Sequence, residues 1–144
     1  MSVAGATFEM AKLLEAVQDY LDALYNGDAG LFGKVMHPKV RLYCPTPESA
    51  LEMDLYQYQA LVRGRPSPAE RKDPRLDAVL FATIASPTTA HVRVQDAYLP
   101  RFFTDDLTFI CEQGASWRVI SKVWHYEVLN EDRIAQLRSG DKLV

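Results

Sequence analysis

Apolar positions recur at helical spacing near the start of the chain and at alternating spacing through its second half. Leu14, Val17, Leu21 and Leu24 form one stripe after Thr7, a residue type that caps helices. Ala11, Lys12, Leu13, Glu15 and Ala16 are strong helix formers, and Asn26-Gly27 supplies the stop. Asp28 is placed to cap a second, short helix with Leu31, Phe32, Val35 and Met36 on its buried side, ended by Pro38. The run Val40-Arg41-Leu42-Tyr43-Cys44 alternates and predicts a first strand. Pro45, Pro47 and Ser49 read as a loop, and Asp54 opens a third helix through Leu55, Tyr56, Tyr58, Leu61 and Val62 to about Gly64. Arg65 to Pro74 is rich in helix breakers.

From Arg75 the period drops from roughly 3.6 to about 2. Four strands are predicted over 76–85, 90–98, 102–111 and 117–128. Ser86-Pro87, Leu99-Pro100 and Gln113-Gly114 separate them, and such short connections favour antiparallel neighbours. Helices first and strands second indicate an α+β domain. Long antiparallel strands coil, so the sheet should curve into a cone only partly covered by the first helix, with a pocket at the open end. A polar tail from about 130 to 144 holds one or two helical turns at Ile134 and Leu137.

Composition narrows this picture. The chain has 144 residues, 48% hydrophobic and 24% charged, which suits one domain spanning 1–144 with a packed core. Net charge is −3, from 16 Lys+Arg against 19 Asp+Glu, the wrong sign for a general nucleic-acid binder. Cys44 and Cys111 stand far apart with no CxxC pair, which argues against a zinc site or a disulfide framework. No signal peptide is visible and no apolar run reaches the ~18 residues of a membrane span. The expectation is a cytoplasmic protein with no metal, no cofactor and no membrane contact.

The segments Tyr20-Leu21-Asp22-Ala23-Leu24-Tyr25-Asn26-Gly27-Asp28 and Met36-His37-Pro38-Lys39-Val40 open the chain in a familiar way. Phe103-Thr104-Asp105-Asp106-Leu107 and Trp117-Arg118-Val119-Ile120-Ser121-Lys122-Val123-Trp124-His125 close it. Together they resemble nuclear-transport-factor-2-like proteins, closest to the SnoaL-like and putative lumazine-binding branch. The resemblance runs from about Glu15 to Tyr126 and implies a cone of helices on a curved, antiparallel or mixed sheet. It also implies a homodimer packed through the outer sheet faces, with Ile120, Trp124 and Tyr126 as interface candidates. The superfamily carries isomerases, dehydratases and plain binding proteins on one scaffold, so the fold names no reaction.

By resemblance to ketosteroid isomerase, Tyr20 would donate a hydrogen bond to a substrate carbonyl; as structure, it is a core tyrosine. The position resembling that enzyme's base is Cys44, which cannot shuttle a proton between carbons and reads better as a small buried residue in the pocket wall. Asp105 shares parity with Phe103, Leu107 and Phe109, the apolar side of its strand, where a carboxyl can act as acid or base. Asp106 is the closer match by residue count. His125 is the preferred catalytic histidine, on a strand face shared with Trp117, Val119, Ser121 and Val123. His37 reads as a helix-ending residue and His91 as part of a polar row with Arg93 and Gln95. Tyr56, Tyr58, Phe103 and Trp117 are the remaining candidates for ligand contact. Arg63, Arg65, Arg71, Lys72 and Arg75 form either a solvated loop or a rim attracting an anionic ligand.

Two functions follow. One is cofactor-free acid–base catalysis on a small apolar carbonyl compound, as an isomerase or dehydratase, through Tyr20, Asp105 and His125. The other is a small-ligand or dimerisation module without a reaction.

Overall fold

A computed structural model describes residues 3–140. Four helices pack on one curved sheet of six strands, in the order β2-β1-β6-β5-β4-β3. The pairing of β1 with β6 is parallel and every other pairing is antiparallel, so the sheet is mixed.

Helix α1 (Val3–Asn26) begins before Thr7, which lies within it rather than capping it. Its buried stripe is Leu13, Val17, Tyr20, Leu21 and Leu24, and this stripe seals the concave face of the sheet. Leu14 falls one position off the stripe and is 42% exposed. The helix ends at Gly27, whose φ of +63° suits glycine. The Asp28 N–H donates to the Ala23 carbonyl at 3.0 Å, closing the last turn. A Cβ on Gly27 would come within 2.8 Å of the Ser67 Cβ, because the 66–74 loop packs against the helix end. Gly27→Ala should therefore cost about 2 kcal/mol, from left-handed strain plus the collision. A shift of the urea midpoint no larger than that of a surface alanine substitution would disprove this.

Asp28 caps α2 (Ala29–Val35), accepting from the Leu31 N–H at 3.0 Å. The chain turns directly into strand β1 (Met36–Pro45), so His37 and Pro38 lie in the strand and not at a helix end. His37 Nε2 sits 2.6 Å from Glu112 Oε1, and its Nδ1 accepts from the Lys39 N–H. Strand β2 (Ala50–Met53) occupies part of the expected loop; only Met53 of its four residues is buried, so it shows no alternation. Helix α3 (Leu55–Arg63) starts in a capping box between Asp54 and Gln57.

Strands β3 (Ala78–Ser86), β4 (Thr89–Tyr98), β5 (Arg101–Ile110) and β6 (Arg118–Val128) form the expected meander, within two residues of each predicted end. One irregularity governs the site. Thr108 pairs with Ser121 and Phe109 with Val119, which leaves Ile120 as an extra residue in β6. Before the bulge Trp117 and Val119 face the core; after it Lys122 and Trp124 do. The shared face expected for Trp117, Val119, Ser121, Val123 and His125 is thereby split, and His125 and Val123 point outward. Trp124, expected outside as an interface residue, is buried, and Tyr126 packs at 5.4 Å from Phe103 on the same side.

The tail adds α4 (Glu131–Arg138), capped by Asn130 and anchored by the fully buried Leu137. Arg138 reaches Asp73 at 3.1 Å, tying this helix to the 66–74 loop.

Candidate functional site

Alternation along β4 places Ala90, Val92, Val94, Asp96 and Tyr98 on the concave face. On β5 the same face carries Asp105, Leu107 and Phe109. Register then fixes the rest: Asp105 lies opposite Val94 on one side and Trp124 on the other. Asp96 and Lys122 are accordingly its diagonal neighbours on the two flanking strands. Three ionisable side chains thus form a row across β4, β5 and β6, each at most 6% exposed.

A buried charge requires a partner and a hydrogen-bonded setting. The Tyr20 hydroxyl on α1 donates to Asp105 Oδ2 at 2.7 Å. Lys122 Nζ stands 3.9 Å from that oxygen and donates to the Tyr58 hydroxyl on α3 at 3.1 Å. The ammonium also lies 4.8 Å from the Tyr58 ring centre, 5.2 Å from Trp124 and 5.3 Å from Tyr20. These aromatic faces add attraction for a cation. Burial lowers the Lys122 pKa, but Asp105, Tyr58 and Asp96 outweigh it, and the net direction is upward. Lys122 is a fixed positive charge.

Asp96 behaves differently. Burial, then the Asp105 charge, push its carboxyl well above the usual carboxylate range, with Lys122 opposing. Asp96 Oδ2 and Asp105 Oδ1 are buried and have no conventional donor in reach. Burial and the neighbouring charge thus favour the protonated form of Asp96, which can donate to a ligand.

Above Asp96, Tyr58 and Lys122 lies a small space of about 30 Å³, with an apolar rim of Leu24, Leu61, Phe103 and Trp124. Arg65, just past the end of α3, closes it with its guanidinium 4.0 Å from the centre of the Tyr98 ring. The space is the open end of the cone.

Of the residues singled out from the sequence, Tyr20, Asp105, Tyr58 and Phe103 come together here. Tyr20 is fully buried and spends its hydroxyl on Asp105, so it positions that carboxylate and does not border the space. His125 lies on the convex face because of the Ile120 bulge and meets none of them. Tyr56 is 76% exposed, on the solvent side of α3. Cys44 is buried in β1, and burial pushes its thiol up, away from the reactive thiolate. Trp117, upstream of the bulge, opens instead on a groove of about 460 Å³ between α1, α2 and the β5–β6 turn. Among its charges, Lys34 pairs with Asp19 and Arg118 with Glu112. Asp106 faces outward and binds Arg93 at 2.7 Å, with His91 at 3.7 Å.

Lys122 and Asp96 were not among the candidates. Each carries a visible signal: Asp96 shares parity with Val92 and Val94, and Lys122 lies two residues before Trp124 in its strand.

No group of three or more metal-ligating side chains occurs among the described residues, and none of their helices is long and apolar enough to cross a membrane. A family model described as putative lumazine-binding matches residues 9–125. No curated protein matches the chain. Among solved structures, an NTF-2-like protein of unknown function from Silicibacter pomeroyi aligns with TM-score 0.73 and 20% identity, over 88% of this chain and 100% of its own. Another, from Shewanella baltica, gives 0.74 and 15%, over 88% and 98%. A ketosteroid isomerase-like protein from Erwinia carotovora gives 0.65 and 13%, over 82% and 95%. At these identities the likeness is one of fold.

Proposed function

Because the chain belongs to the putative lumazine-binding family and has the nuclear-transport-factor-2-like fold, we propose that the space over Asp96 and Lys122 receives one small molecule with an apolar body and a carbonyl-type oxygen. The observation that carries this reading is that the buried Asp96 carboxyl and the Lys122 ammonium both line the floor of an apolar mouth. The acid donates to the oxygen, the fixed charge favours electron density drawn onto it, and the rim removes the body from water.

Among the described residues that border this space Asp96 is the one carboxyl, since Asp105 is engaged by Tyr20 and Lys122 and His125 faces outward. Binding with polarisation of the carbonyl is therefore the function the geometry supports best. Isomerase or dehydratase chemistry would need Asp96 to serve as acid and base in turn.

Thermal shift with lumazine and small cyclic and aryl ketones tests the reading. A true ligand raises the melting temperature with concentration in the manner of a binding curve. Leu61→Trp, a change at a half-open rim position, should fill the mouth and remove the shift. If no compound moves the transition, or Leu61→Trp leaves the shift intact, the reading fails. Deuterium exchange at the ligand's α-carbon, followed by NMR in D2O, separates catalysis from binding: exchange that Asp96→Asn abolishes would establish the catalytic version.

A further inference from the structure

Resting on that reading, we infer that Arg65 makes the site selective for a carboxylate head, so that its ligand is a small organic acid with an apolar body. Arg65 lies in the basic stretch of the chain, yet it differs from Arg71 and Arg75. Arg71 and Arg138 share Asp73, and Arg75 is held between Asp22 and Asp77 at 2.7 Å each. Arg65 has no carboxylate within ion-pair distance among the described residues, and its Nε is buried without a hydrogen-bond partner. A donor hidden from water and left unpaired is costly, and such groups mark places where something else belongs.

The guanidinium carbon lies 4.0 Å from the centre of the Tyr98 ring, and the Tyr98 hydroxyl donates to the Leu24 carbonyl at 2.9 Å. Contact over a ring face leaves guanidinium N–H donors for a bidentate acceptor. Charge at the mouth agrees. Lys122 is balanced by Asp105, whereas Arg65 has no carboxylate within ion-pair distance among the described residues. A monoanionic head would supply that missing partner. Its two oxygens would accept from Arg65 and from the Asp96 carboxyl, a pairing that a neutral carbonyl supplies only in part.

Size sets the rest of the ligand. About 30 Å³ exceeds the ~10–15 Å³ needed to hold one water, and it suits a head group. The body must leave along Leu61, Phe103 and Trp124, which is an apolar exit.

Benzoate and phenylacetate against benzamide and phenylacetamide test this inference, because each pair has one shape and differs in charge. Titration calorimetry at constant ionic strength is run on the wild type, Arg65→Gln, Arg65→Lys and Leu61→Trp. The acids should bind the wild type at least tenfold tighter than the amides. Arg65→Gln should erase that preference with its melting temperature unchanged, Arg65→Lys should keep part of it, and Leu61→Trp should bind none of the four. Equal binding of acid and amide, or a preference that survives Arg65→Gln, overturns the role of Arg65 while leaving the site intact. If none of the four binds, the carboxylate inference is overturned. The ketone and lumazine series then decides separately whether the pocket reading falls as well.

Discussion

Lys122→Met should destabilise the protein by about 3–5 kcal/mol, one of the largest losses available to a single substitution outside the apolar core. The cause is what the change leaves behind. Methionine fills most of the lysine's volume and keeps its contacts with Tyr20, Tyr58 and Trp124, so little packing is lost. Asp105, however, is 1% exposed and would keep only the Tyr20 hydroxyl. A carboxylate so placed must either stay charged without a counterion or take up a proton, and both cost free energy. Removing the second charge as well should return most of the loss, because replacing both members of a buried pair by apolar groups is often near neutral. Urea unfolding of Lys122→Met, Asp105→Leu and the double variant measures this. Near-additive losses in the double variant, or a Lys122→Met midpoint close to wild type, would show that the two groups are not coupled.

Asp96→Asn should change how stability depends on pH. Its carboxyl is raised in the folded state, chiefly by burial and then by the Asp105 charge. The folded protein therefore holds that proton more tightly than the unfolded chain, whose aspartates titrate near about 3.9. Below that pH the contribution is fully present; it declines as pH rises toward the folded value and is lost beyond it. In that window the folding constant falls by up to roughly tenfold per pH unit from this group alone. Asparagine never titrates, so the variant should gain on the wild type steadily as pH rises above about 4. Paired urea curves at several pH values from acid to mildly alkaline isolate this term from the other titrating groups. Parallel stability profiles would mean that Asp96 is ionised in the fold like any surface aspartate.

Much of the scaffold was legible because it depends on periodicity. The α1 stripe, the Asp28 and Asp54 caps and the four alternating strands follow from local pattern, and Asp105 follows from parity with Leu107 and Phe109. Features that depend on pairing were not. Strand β2 has no buried face of its own to announce it, and it exists because β1 offers an edge. Lys122 reads alone as a surface charge; Tyr58 is 64 residues from it in sequence and Tyr20 is 85 residues from Asp105, and folding brings the four together. His125 was misplaced because counting by twos assumes an unbroken strand.

The bulge reaches beyond one histidine. The extra residue at Ile120 acts as a frame setting for the second half of β6. With it, Lys122 and Trp124 enter the cone; a relative with the same strand but no extra residue there would carry the alternate set inside. Alignments that run without a gap through this point therefore transfer chemistry to the wrong side of the sheet. Among such proteins, a single insertion in one strand can change what a pocket contains while every side chain in the sequence stays the same.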